Sequence, residues 1–224
     1  GSADSPATGC SVIFERHPDE LDTKNSISTS LDRLIAERQS VPQLIPSPPI
    51  KQWKTPLDAF LRAGRELSLG RSLTELFEVI LNLSIEAVGA ERGILMTLEN
   101  GELKVQASRG EAFRISTTVR DKVLKEKASL LLHDAQNDAA FRAMESIVAQ
   151  SVHTLIAVPL QTDNQVIGLI YLDTQHAVHH FTGDDLDLLT AMANVAALRI
   201  ERERMAEIEQ ARRRLESELS QASE

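Results

Sequence analysis

The chain has 224 residues, 42% hydrophobic and 25% charged, with a formal net charge of -9 and an isoelectric point near 5.2. That is enough for one good core with residues to spare, and the acidity excludes a general affinity for nucleic acid or anionic membrane, which needs clustered Lys and Arg. A single cysteine, Cys10, excludes a disulfide framework and a Cys-based zinc cluster and fits a reducing cytoplasm; the apolar runs are too short to span a bilayer, and aromatics at 4% are too few for a stacking platform.

In chain order, Ser11-Val12-Ile13-Phe14 is an apolar burst too short to make a core alone, and reads as the last strand of an upstream domain or a segment that adds to a partner. Leu31, Leu34, Ile35 and Arg38 have helical spacing over about three turns. The stretch from Val41 to Pro49 holds four of the eight prolines and reads as a semi-rigid linker. The expected organisation is therefore a tail or remnant of an upstream domain over 1–40, a linker over 41–56, one domain over 57–200 and a coil-forming helix over 201–224.

Thr55-Pro56-Leu57-Asp58 supplies an N-cap, a first-turn proline and an acidic third position, and Leu57, Phe60, Leu61, Gly64 and Leu67 follow on one helical face. Gly70 stops that helix. Ser72-Leu73-Thr74-Glu75 is a capping box opening a second helix, which buries Leu73, Leu76, Phe77, Ile80, Leu81 and Ala87 and ends at Gly89. The period then changes to two, with Ile94, Met96 and Leu98 before Asn100-Gly101 and Leu103, Val105 and Ala107 after it, which is a hairpin. A short helix is predicted over Ser116 to Lys127, a strand over Leu130 to Leu132, a polar turn over 133–140 and a short helix over Phe141 to Ala149. A second hairpin pairs Thr154 to Leu160 with Val166 to Leu172, its scant alternation predicting burial on both faces, with Pro159 marking a bulge or an unpaired edge.

Thr182-Gly183-Asp184-Asp185 caps a final helix without an internal proline. Leu186, Leu189, Ala193, Ala196 and Ile200 form one apolar seam; Met205, Ile208, Arg212, Leu215, Leu219 and Ala222 form another, out of phase by one residue. The first seam is expected to pack on the domain and the second to face a partner helix. A homodimer follows, with Leu57, Leu61, Met205, Ile208, Leu215 and Leu219 as its interface candidates.

The segments Thr154 to Leu160, Val166 to Asp173 and Phe181 to Leu189, with Ser146-Ile147 upstream, resemble a GAF domain: a valine-proline-leucine strand, an isoleucine-glycine-leucine strand, a phenylalanine with an acidic pair, and a closing helix. The resemblance covers about two thirds of the chain. It implies an α+β fold, a central antiparallel sheet with the first and last helices on one face and a small-ligand pocket on the other. It also implies regulatory duty in a multidomain signalling protein, in the manner of domains set between a forkhead-associated domain and an output domain. Upstream and downstream domains of the same chain are then partners, alongside an unidentified small-molecule ligand. Cyclic-nucleotide-binding members carry asparagine-lysine where Asp173-Thr174 stand here and a glutamate where Leu186 stands; only Phe181 and Asp185 fit. Members that bind a bilin need a cysteine or other specific pocket residues, and those that reduce free methionine sulfoxide need cysteines inside the domain, whereas Cys10 lies outside it.

Within that frame, His133 and Asp134 fall where the lid of the pocket begins, and Ser146, Thr154, Tyr171 and Asp173 are the other polar ligand-binding candidates. Asp173, His176, His179 and His180 are the one group of metal-ligand types, in a segment expected to be a loop, so no metal is assigned. No glycine-rich phosphate loop, nucleophile elbow or zinc-protease helix occurs, so no catalysis is expected and no cofactor is named. The expected role is a cytoplasmic sensory module, with a ligand-free interaction scaffold as the alternative.

Overall fold

A computed structural model of the chain describes residues 12–15, 26–29, 56–110, 113–132, 154–163, 165–175 and 180–222. The element order is β1 (Val12–Glu15), β2 (Ser26–Thr29), α1 (Pro56–Ser68), α2 (Leu73–Val88), β3 (Arg92–Glu99), β4 (Glu102–Arg109), β5 (Phe113–Ser116), α3 (Thr117–Lys125), β6 (Ser129–Leu132), β7 (Thr154–Gln161), β8 (Val166–Thr174) and α4 (Gly183–Ala222). The expected linker, the helical spacing at Leu31 to Arg38 and the predicted helix over 141–149 lie outside the described residues.

Local chemistry sets the boundaries of these elements. At α2 the Ser72 hydroxyl accepts from the Glu75 N–H while the Glu75 carboxylate accepts from the Ser72 N–H, so the capping box closes in both directions. The helix ends at Gly89, in the left-handed region at φ 68°. Asn100 and Gly101 both take positive φ, 52° and 84°, as a two-residue turn matching the twist of a hairpin requires. Thr182 and Asp185 form a second reciprocal cap at α4, with bonds of 2.8 and 3.3 Å.

Six strands form one antiparallel sheet in the order β2-β6-β7-β8-β3-β4. β7 and β8 are buried along nearly their whole length, as their unbroken apolar character predicts. Pairing of β6 with β7 stops at Ala157, two residues short of Pro159, so β7 has no β6 partner at the residue that lacks an N–H. The fit between β8 and β3 depends on Gly168. A Cβ there would stand 2.1 Å from the Met96 carbonyl oxygen and 2.9 Å from Thr97 Cα.

The sheet is covered on both sides. On one, α2 and α4 bury Leu76, Phe77, Ile80, Leu81, Leu186, Leu189, Ala193, Ala196 and Ile200 against Leu95, Leu131, Ile156, Val158, Leu160, Ile170 and Leu172. Phe181, fully buried in this cluster, precedes the α4 cap where a hydrophobic staple belongs. α1 closes this layer, packing on α2 and α4 through Ala63, Leu83 and Met192. On the other side, Phe113 and Ile115 of β5 and Val119 and Val123 of α3 cover Ile94, Met96, Leu130, Leu132, Leu155, Ala157, Leu169 and Tyr171. Each of the leucine, isoleucine, valine, methionine and phenylalanine side chains contributes about 1.5–3 kcal/mol on burial.

The stretch 1–40, expected as a tail or remnant, supplies two strands to this fold. β1 pairs with β5 in parallel, Val12 against Phe113 and Phe14 against Ile115, and β2 adds to the β6 edge of the sheet. Val12 and Phe14 pack on the second cluster, and the Arg120 guanidinium lies 5.3 Å from the Phe14 ring centre. The strand that cannot make a core alone is thus completed by this domain.

Candidate functional site

Strand parity decides which sequence candidates meet. On β8, Leu169, Tyr171 and Asp173 alternate with Ile170 and Leu172, so the first three face away from the helix layer and the other two face α2 and α4. Arg92 opens β3 directly across from Asp173 in the ladder. Its guanidinium grips the carboxylate with both arms, Nε to Oδ1 at 2.7 Å and Nη2 to Oδ2 at 2.6 Å. The Asp173 side chain is fully buried and that of Arg92 is 15% exposed.

Two rings complete the cluster. Arg92 lies 5.1 Å from the Phe113 ring centre, and Phe113 meets Tyr171 edge-to-face at 6.2 Å between centroids. Tyr171 stands two residues before Asp173 on the same face of β8. Burial pushes the Asp173 carboxyl above its usual range, with Arg92 pulling the other way. Burial and the adjacent Asp173 charge hold the Tyr171 phenol well above its ordinary value. Tyr171 and Asp173, singled out in the sequence, are therefore joined at one end of the face opposite the helices. Arg92 and Phe113, which complete the cluster, were not singled out. The signal for Arg92 was a charge at inward parity immediately before the apolar run Gly93 to Met96.

Thr154 lies elsewhere. It pairs with Thr174 across the ladder, and its Oγ1 is 3.4 Å from His180 Nδ1 near the start of α4. By parity it points to the helix side, so the structure separates it from Tyr171 and Asp173. His133, Asp134 and Ser146 lie outside the described residues, as do His176 and His179. Among the described residues no group of three metal-ligating side chains converges.

The second surface of interest is α4. Its first half is core, with Leu186, Leu189, Ala193, Ala196 and Ile200 at most 1% exposed. Arg199 ties it to α1, donating to the Leu67 and Leu69 carbonyls at 2.9 and 3.4 Å and pairing with Glu203. Beyond that tie, Met205, Ile208, Leu215 and Leu219 are 61–71% exposed, and Leu61 on α1 is 60% exposed. The Leu57 side chain is not among those described. Arg212 and Arg213 bond to Glu209, and Arg212 also to Glu216, on the helix's own surface. No described helix is long and apolar enough to cross a membrane.

An antiparallel sheet covered on one face by its first and last helices, and on the other by a short strand pair and a small helix, defines an α+β architecture. The sequence profile of the GAF domain matches residues 72–200. The chain belongs to the GAF domain family. Solved structures share the fold. The GAF domain of a phosphoenolpyruvate-protein phosphotransferase from Coxiella burnetii superposes with a TM-score of 0.56 at 16% identity, over 68% of this chain and 96% of that one. Free methionine-R-sulfoxide reductase from Neisseria meningitidis gives 0.57 at 16%, over 67% and 91%. The chromophore-binding domain of the bacteriophytochrome RpBphP3 from R. palustris gives 0.53 at 12%, over 67% and 62%. Among curated proteins no sequence matches this chain. At these identities the likeness is one of fold alone.

Proposed function

We propose that the chain is a non-catalytic sensory module of a cytoplasmic, multidomain signalling protein, working as a homodimer with neither nucleic acid nor membrane as partner. The sheet face away from the helices receives a small ligand or the state of an upstream domain, and α4 carries the result to an output domain. The observation that carries this reading is the change of character along α4: one continuous helix is core to Ile200 and then presents Met205, Ile208, Leu215 and Leu219 to solvent. A lone solvated helix has no use for four exposed aliphatic side chains at seam spacing, whereas a paired one buries them.

The sheet supplies the coupling. Leu155 and Ala157 of β7 face the proposed input side, while Ile156 and Val158 between them pack in the cluster that holds Leu186 and Leu189. A displacement of β7 is therefore felt on both sides of a close-packed sheet. Upstream sequence meets the input side too, since Val12 and Phe14 belong to that cluster.

A ligand-free interaction scaffold is the second reading. Phe113, Tyr171 and the Arg92–Asp173 pair, all buried or nearly so, favour it because they occupy the input face with the protein's own side chains. A thermal-shift panel of nucleotides, amino acids and metal ions separates the two. A ligand-induced rise in melting temperature that Tyr171→Phe or His133→Ala abolishes supports sensing, and silence across the panel supports the scaffold. Light scattering over a concentration series checks the dimer, which fails if the full chain stays monomeric at high micromolar concentration.

A further inference from the structure

One stripe of α4 carries two charged residues of opposite sign, Glu201, half-buried and accepting from Gln165 Nε2 at 3.4 Å, and the exposed Arg212, and their positions select an orientation for the dimer. At about 100° per residue, Leu198, Glu201, Met205, Ile208, Arg212, Leu215 and Leu219 fall within about 100° of arc on the helix. Five of the seven are aliphatic and at least 53% exposed, including Leu198, whose neighbours Ala197 and Ile200 are fully buried in the domain. In heptad terms Leu198, Met205, Arg212 and Leu219 repeat every seven residues, and Glu201, Ile208 and Leu215 follow them at the complementary spacing.

A parallel, in-register pair sets each residue against its own copy. Leu198, Met205, Ile208, Leu215 and Leu219 are content with that, but Glu201 meets Glu201 and Arg212 meets Arg212, giving two like-charge layers inside the seam. An antiparallel pair crossing between Met205 and Ile208 removes both conflicts. Met205 then faces the partner's Ile208, Glu201 faces the partner's Arg212, Leu198 faces the partner's Leu215, and each layer recurs by symmetry as an isologous two-fold contact. Flanking charge agrees, because Arg202 comes beside the partner's Glu209. Arg212 is equipped for the cross-chain pair. Three of its five N–H donors bond Glu209 and Glu216 of its own helix, and two remain for the partner's carboxylate.

The geometry points to an antiparallel homodimer in which the second copy's residues 212–219 lie along residues 194–201, covering Leu198 and pairing Glu201 with the partner's Arg212. The inference rests on the dimer proposed above and adds its orientation and charge code. It places the two globular parts at opposite ends of the paired segment, so the orientation also decides whether two output domains emerge side by side or apart.

The test uses the full chain in a Cys10→Ser background. Leu198→Cys and Leu215→Cys proteins are mixed and oxidised. The antiparallel pair gives the mixed 198–215 disulfide, and Leu198→Cys alone gives none, since its copies stand about 25 Å apart along the axis and a disulfide needs Cα atoms within about 7 Å. Independently, Glu201→Arg raises the dimer dissociation constant about tenfold or more by setting arginine against the partner's Arg212, and the double change Glu201→Arg with Arg212→Glu brings it back to within about threefold. A Leu198→Cys homodisulfide, or absence of rescue in the double variant, overturns the antiparallel orientation while leaving the dimer standing. A chain that is monomeric with α4 intact overturns the dimer itself.

Discussion

Replacing Arg92 by Met tests the buried cluster where its energetics are least forgiving. The substitution keeps the aliphatic stem and removes the guanidinium that makes two bonds of 2.6–2.7 Å to a carboxylate with no solvent exposure. Breaking a buried pair from one side costs about 3–5 kcal/mol, because the charge left behind has neither water nor partner. Folding stability at neutral pH should fall by that amount in urea titrations. The deficit has a sign in pH. Burial holds the Asp173 carboxyl above 3.8 even with Arg92 in place, so the folded state keeps its proton to higher pH than the unfolded chain does. Stability linked to that proton is complete below about 3.8 and is lost as pH rises through the folded-state value. Removing the cation raises that value further and widens the window, so the deficit of Arg92→Met should grow as pH rises above the parent's folded-state value. Adding Asp173→Asn removes the stranded charge and should restore at least about 1 kcal/mol while flattening the pH dependence. A variant within about 0.5 kcal/mol of the parent, or a deficit independent of pH, refutes the reading of Arg92–Asp173 as a structural ion pair.

Gly168→Ala forces a Cβ to within 2.1 Å of the Met96 carbonyl oxygen, and the backbone shift it demands should cost about 1–3 kcal/mol or more by thermal or urea unfolding; a neutral result means that β8 and β3 are further apart. Ser72→Ala removes the acceptor for the Glu75 N–H and should cost about 1 kcal/mol by the same measurement, half-offset if the Glu75 carboxylate keeps its bond to the residue-72 N–H. Phe14→Ala withdraws an apolar contact from the input face and the ring beneath Arg120. Amide exchange in residues 113–116 should accelerate selectively, and unchanged protection there means that β1 does not hold β5.

The elements that sequence revealed are those whose evidence is local. Both capping boxes, the left-handed stop at Gly89 and the Asn100-Gly101 turn are patterns of two to four residues whose chemistry acts within that span. Gly168 carries a signal of the same local kind, since a glycine inside an apolar strand has few explanations and close approach is one of them. β5 and its pairing with β1 were not legible. Residues 12–15 and 113–116 are four-residue strands about a hundred positions apart, each without alternation to display, and only tertiary contact makes either of them a strand. The candidate site divides the same way. Tyr171 and Asp173 stood out as polar groups on a buried strand, but the parity that joins them and excludes Thr154 needs the register of the sheet. The partnership of Asp173 with Arg92, 81 residues away in sequence, needs the β3–β8 ladder.

The phase slip along α4 has a physical cause that ties fold to function. To Ile200 the helix has a sheet beneath it, and its apolar residues follow that surface: Leu186, Leu189, Ala193, Ala196 and Ile200 lie on the side that meets β6 and β7. The support ends at Ile200, where the neighbouring Arg199 spends its guanidinium on the Leu67 and Leu69 carbonyls and on Glu203. Past Ile200 the helix meets the domain through a polar contact, Gln165 Nε2 donating to Glu201 at 3.4 Å, which sets no apolar side for it. The seam accordingly moves around the helix to the side already opened by Leu198, away from the domain and toward whatever helix lies alongside. A slip between two seams in one uninterrupted helix marks the boundary between packing that serves the fold and packing that serves an assembly. It follows that substitutions up to Ile200 and beyond it should separate cleanly. Leu189→Ala should lower folding stability by about 2–5 kcal/mol at any protein concentration. Ile208→Ala should leave the melting temperature of dilute protein unchanged and lower it only where the protein is concentrated enough to pair, because the contact it removes exists only in the dimer. A concentration-independent loss at Ile208 would mean that the second half of α4 folds back on its own domain.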